Sequence, residues 1–126
     1  MQKENPLETL YREGIPVCPG NSSYRIIIDD CHVLTKKIHH GEGQNFLPWF
    51  RHPLCPWNVL SKRLRLPTGD FTISYNEQLE CCIIAYKDKK TFDYIKQVKG
   101  LPNTWVGLLV VNGKDVAWFL MEKVAD

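Results

Sequence analysis

Asn112-Gly113 stands between two apolar runs, Thr104–Val111 and Val116–Met121. A two-residue hairpin turn with the hand that matches strand twist needs positive φ at both central residues, and Asn-Gly adopts it at least cost. The C-terminal third is therefore predicted to be an antiparallel hairpin, which commits the core to a β-sheet. Upstream, Tyr24–Ile28 is a short β-branched run that ends in Asp29-Asp30 and reads as a buried strand. Val33–Ile38 either continues it or turns into a short helix. Leu60–Leu66 alternates leucine with arginine, as a half-buried strand does, and Pro67-Thr68-Gly69-Asp70 is a turn signal. Phe71–Tyr75 alternates again, Asn76-Glu77-Gln78 closes a second hairpin, and Glu80–Tyr86 is its returning strand.

Two segments carry helical spacing. Residues 3–13 place Leu7, Leu10 and Tyr11 on one face. Thr91–Lys99 places Phe92, Ile95 and Val98 three apart, with Gly100 where a C-cap glycine belongs. Together these elements predict a single α+β domain with a mixed, mainly antiparallel sheet of about five strands and two or three helices. Residues 1–22 form an N-terminal arm or short helix and 24–121 the core. The chain of 126 residues suits one core and not two ordinary domains, and 44% hydrophobic with 24% charged residues is a globular composition.

A net charge of +2 leaves room for a local basic patch and does not by itself call for a polyanion. No apolar run reaches the length of a membrane span. The start, MQKENPLETLYREG, is polar and lacks the apolar centre of a signal peptide, so the expectation is an intracellular protein, cytoplasmic or nuclear, and not a secreted one. Five cysteines without regular spacing, two of them adjacent at Cys81 and Cys82, are expected to be reduced thiols of the core.

One constellation suggests chemistry. Asp70 opens a strand after a turn glycine, and Asp88-Lys89-Lys90 closes the next. Alternation along a strand would put Asp88 and Lys90 on one face and Lys89 on the other. Two carboxylates, Asp70 and Asp88, can hold a hard divalent cation such as Mg²⁺ through oxygen. The ion can then polarise a phosphodiester and acidify a bound water, while Lys90 orients that water or stabilises phosphate charge.

Gly69-Asp70, Asp88-Lys89-Lys90 and the following Thr91-Phe92-Asp93-Tyr94-Ile95 resemble the PD-(D/E)XK nuclease superfamily, in the style of its XPF-like branch. That resemblance implies a helix after the lysine, a metal-dependent nuclease or nuclease-like DNA-processing domain, Asp70, Asp88 and Lys90 as catalytic residues, and Asp29 or Asp30 as a further acid. The chain departs from the pattern by carrying Asp88 where the glutamate is usual, and no clear counterpart follows for the arginine after the helix. DNA would meet a basic surface of Lys62, Arg63, Arg65 and Lys89, extended by Lys36, Lys37 and Arg51.

The same residues also have a purely architectural reading. Asp70 completes a turn, Asp88 caps a helix starting near Lys89 or Lys90, and the lysines form a solvated strand end. Cys31, His32, His52 and Cys55 are a less favoured set of zinc donors, since the first two are adjacent. The alternative function is a non-catalytic binding protein, of the kind exemplified by immunity proteins, inhibitors or phage-type antagonists. It would act on a protein partner through the aromatic segment 44–58, with Trp49, Phe50 and Trp57 as anchors.

Overall fold

The computed structural model describes residues 5–46 and 70–124. One short helix, α1 (Pro6–Arg12), precedes eight strands: β1 (Ser22–Ile28), β2 (Cys31–His39), β3 (Glu42–Phe46), β4 (Asp70–Asn76), β5 (Cys81–Tyr86), β6 (Thr91–Gln97), β7 (Thr104–Val111) and β8 (Lys114–Lys123). Each strand pairs antiparallel with the next, and β8 returns to pair with β1 from Tyr24↔Lys123 to Ile27↔Leu120, so the sheet closes into a barrel. Closure leaves no free sheet edge among these strands.

Turn chemistry sets the up-and-down order. Three of the connections are two-residue turns with positive φ at both positions: Asp29 and Asp30 (50° and 64°), His40 and Gly41 (51° and 77°), Asn112 and Gly113 (53° and 76°). Asp, Asn and Gly tolerate this region best, and turns of this hand carry the strand twist across the hairpin. At each of these three turns the strand that follows must fold back on its predecessor.

Strand alternation then sorts the side chains. Ile26 and Ile28 of β1, Leu34 and Ile38 of β2, Phe71 of β4, Ile84 of β5, Ile95 of β6, Leu109 of β7, and Phe119 and Met121 of β8 are buried in the core. Inside, Gly107 lies opposite Ile95 and Phe119, and the Phe119 ring occupies the space that a Cβ on residue 107 would need. An eight-strand barrel is just wide enough for its own side chains to fill it. The cavity left inside is about 20 Å³, room for about one water molecule.

Helix α1 forms locally. The Asn5 side chain caps it by accepting the Leu7 N–H (2.9 Å), Pro6 occupies the first turn, and Glu8 and Arg12 stand one turn apart. It packs on the outside of β6–β8, where Tyr11 stacks at 5.5 Å from Trp118 and Lys96 Nζ sits 4.7 Å from the Tyr11 ring.

This architecture corrects the α+β expectation: the described residues form an all-antiparallel closed barrel of eight strands with one helix, not about five strands with two or three helices. The helix read over Thr91–Lys99 is β6. Its inward positions are Thr91, Asp93 and Ile95, all buried. A buried acid at the middle position breaks the apolar alternation and leaves Phe92, Ile95 and Val98 to mimic a helical face. Val33–Ile38 lies in β2 and not in a helix. The strand read over 60–66 lies outside the described residues.

The expectation of reduced core thiols is corrected as well. Cys18 and Cys82 form a disulfide with Cα atoms 5.5 Å apart, and Cys31 is also disulfide-bonded. Cys81 is a free, buried thiol.

Candidate functional site

The residues expected to do chemistry occupy one end of the barrel but are engaged separately. Asp70 is the first residue of β4. Its Oδ2 lies 2.9 Å from Lys87 Nζ on the neighbouring strand's end, in an exposed cross-strand ion pair. Lys87 and then Gln44, both hydrogen-bonded to it, hold the Asp70 carboxyl below its ordinary pKa.

Asp88 sits in the β5–β6 turn, so it and Lys90 do not share a strand face. The Asp88 Oδ1 accepts the backbone N–H groups of Lys90 and Thr91, both at 2.9 Å, and its Oδ2 accepts the Thr91 hydroxyl at 2.6 Å. These bonds, led by that of Thr91, lower its pKa. Asp88 therefore organises a turn between two strands, and not the helix N-terminus that the architectural reading assigned to it, because β6 follows. Lys90 contributes its backbone carbonyl to the next hairpin by accepting the Asn112 N–H.

Asp29 and Asp30 form the β1–β2 turn. Among the described residues no group of three or more His, Cys, Asp or Glu side chains is placed to hold a metal ion. The helix that the nuclease pattern calls for after Lys90 is replaced by β6. The described geometry thus gives no support to a magnesium-dependent nuclease or to DNA binding. Of the zinc set, Cys31 is in a disulfide, so its sulfur is not a thiolate donor, and His32 Nε2 lies 3.0 Å from Thr35 Oγ1. His52 and Cys55, the basic residues Arg51, Lys62, Arg63 and Arg65, and the aromatic anchors Trp49, Phe50 and Trp57 lie outside the described residues. Lys89 is described, at the tip of the β5–β6 turn with φ 61°.

The residues that sequence reasoning missed lie inside. Lys36, assigned to a basic surface, points into the barrel and is 2% exposed. Its ammonium donates to Asn45 Oδ1 (2.9 Å) and to the Tyr86 hydroxyl, and lies 3.2 Å from Asp93 Oδ2. The Tyr86 hydroxyl donates to Asp93 Oδ2 (2.7 Å) and accepts from Asn45 Nδ2 (3.1 Å). The Phe71 and Tyr86 rings face the same ammonium at 4.7 and 4.9 Å.

Burial pushes the Lys36 pKa down, against the pull of Asp93, and burial followed by the Asp93 charge pushes the Tyr86 phenol well up. Each of the three ammonium protons has an oxygen to meet, and no buried side-chain polar atom among the described residues lacks a partner. The signal for this cluster was present in register: Lys36 shares a strand face with Leu34 and Ile38, and Asp93 shares one with Thr91 and Ile95. A polar residue at an inward place on each of two strands is the mark of a buried pair.

The large concavity is on the outside. A groove of about 660 Å³ opens along β2–β5, bordered by Lys37, His39, Glu42, Gln44, Phe46, Asp70, Lys87 and Lys89 and reaching the buried Phe71 and Tyr86. Phe46 is 42% exposed, and Lys37 Nζ lies 5.1 Å from its ring centre. Comparison of the chain with known protein families, with curated proteins and with solved structures finds no match.

Proposed function

We propose that the chain is a non-catalytic protein-binding module, a rigid closed barrel that recognises its partner on the outer face of β2–β5. The observation that carries this reading is the contrast between inside and outside. The interior holds about 20 Å³ and its polar groups satisfy one another, whereas the groove outside offers about 660 Å³. A filled barrel has no room for a substrate, and a fully partnered lysine, tyrosine and aspartate are not free to transfer protons to one.

The groove has the composition of a partner surface. The exposed Phe46 supplies apolar area beside Lys37, and Lys87 and Lys89 stand across from them near Asp70 and Glu42. Interfaces combine an aromatic anchor with a polar rim in this way. Trp49, Phe50 and Trp57 follow Phe46 in sequence and are the further anchors this reading expects.

The test is capture of a partner from an extract of the source cells, comparing the wild-type chain with a Lys37→Glu/Phe46→Ser variant and an Asp88→Ala/Lys90→Ala variant. The reading expects one defined protein to be retained by wild type and by the second variant and lost with the first. Retention that is indifferent to the groove substitutions would remove the groove from the account.

A further inference from the structure

We propose that the Cys18–Cys82 disulfide is a redox latch that fastens the N-terminal arm, residues 14–20, across one end of the barrel, and that its reduction releases the arm while the barrel stays closed. This inference is independent of the groove on β2–β5.

The arm links positions spread around that end. Ile15 and Gln97 exchange two backbone hydrogen bonds at 2.9 Å, which ties the arm to the end of β6. The Val17 carbonyl accepts the Trp105 indole N–H (2.8 Å) at the start of β7. Cys18 bonds to Cys82 at the start of β5, and the Gly20 carbonyl accepts the Tyr24 hydroxyl (2.7 Å) in β1. Below the arm the rings of Tyr24 and Trp105, 5.6 Å apart and perpendicular, fill the barrel mouth.

The disulfide is the arm's covalent tie to β5, and its other ties are the hydrogen bonds at Ile15, Val17 and Gly20. Ile15 and Val17 turn outward, 39% and 43% exposed, while Pro19 is buried and Cys18 packs partly buried against the core. None of the eight strands uses arm residues for its closing pairs. The arm can therefore leave without opening the ladder. Cys18 is only partly buried and is the sulfur a reductant reaches, while Cys82 is fully buried. Cys81, next to Cys82, points to the opposite face of β5 and shares a hydrogen bond with Tyr11, so it is not placed to exchange with the latch.

Reduction breaks the sulfur–sulfur bond. Two electrons and two protons pass to Cys18 and Cys82 from a dithiol, which closes into its own disulfide. The freed arm uncovers Trp105 and Tyr24, an apolar mouth absent from the oxidised surface.

Amide hydrogen exchange on the full chain tests this, with oxidised protein, protein in dithiothreitol, and an oxidised Cys18→Ala/Cys82→Ala variant in which the Cys31 disulfide is untouched. The expected result is that the Ile15 and Gln97 amides exchange at least about tenfold faster in the reduced and variant proteins, as local opening does, while Ile26, Ile84 and Leu109 keep their protection. At Ile15 and Gln97 the variant should not respond further to dithiothreitol. Equal protection of Ile15 and Gln97 in all three samples would overturn the latch. So would loss of protection throughout the strands in the oxidised variant, or a variant that does not fold, since the bond would then be a staple of the whole barrel.

Discussion

Lys36 Nζ and Asp93 Oδ2 meet at 3.2 Å in the middle of the barrel, with both side chains at most 3% exposed. The two residues stand on β2 and β6, which are not neighbours in the sheet, so the pair spans the interior and couples opposite walls. Asn45 and Tyr86 complete the ring of partners.

A double-mutant cycle separates the worth of this pair from the cost of breaking it. Asp93→Leu leaves the ammonium buried with no counter-charge and is expected to lower unfolding stability by roughly 3–5 kcal/mol. Lys36→Met strands the carboxylate in the same way. The Lys36→Met/Asp93→Leu double variant should recover most of the loss, because apolar side chains of similar volume often replace a buried pair at little cost. Denaturant unfolding of the four proteins gives the coupling energy, and simple additivity of the single losses would show that the two groups do not act as a pair.

Acid stability should depend on Asp88. Its carboxyl is held below the ordinary value of 3.8 by Thr91 and the turn N–H groups, so the folded state binds the proton less readily than the unfolded chain. That stabilisation is fully present above the unfolded pKa and is lost as the pH falls through the folded pKa. Asp88→Asn should flatten the fall in stability below about pH 4 and cost about 1 kcal/mol at neutral pH through the weakened turn. Urea midpoints measured across that pH range check both parts.

Packing within the barrel leaves no space for a methyl group at residue 107. Gly107→Ala would drive its Cβ into the Phe119 ring and Ile95 and is expected to cost about 1–3 kcal/mol. Phe119→Leu in the same chain should relieve part of the clash. Thermal unfolding of the single and double variants will show it, and a double variant less stable than the sum of its parts would place the strain elsewhere.

The legible parts of the fold were the ones that rest on local chemistry. Asn112-Gly113 identified the last hairpin because its turn type leaves few alternatives, and Tyr24–Ile28 and Glu80–Tyr86 were readable from apolar strand residues. Asp29-Asp30 and His40-Gly41 make turns of the same kind, yet their residues announce it less strongly than Asn-Gly, so the number of strands was underestimated. Asp93 hid β6 because a buried acid reads as a surface position until its partner is known. Lys36 was placed on a basic surface for the same reason: a lysine is rarely buried, and its counter-ion lies 57 positions away in sequence. For Asp88 the architectural reading expected bonds to the backbone N–H groups just after it, but at a helix N-terminus and not in a turn between strands. Its bonds to Lys90 and Thr91 are local, and local hydrogen bonds are what a sequence pattern encodes best.

Incubating the chain with branched and single-stranded DNA in Mg²⁺ or Mn²⁺, beside a folded Asp88→Ala/Lys90→Ala control, separates a non-catalytic binding barrel from a nuclease. The DNA is expected to stay intact with both proteins. Cleavage by the wild-type chain that disappears in the control would overturn the binding-module reading and assign catalysis to Asp88 and Lys90.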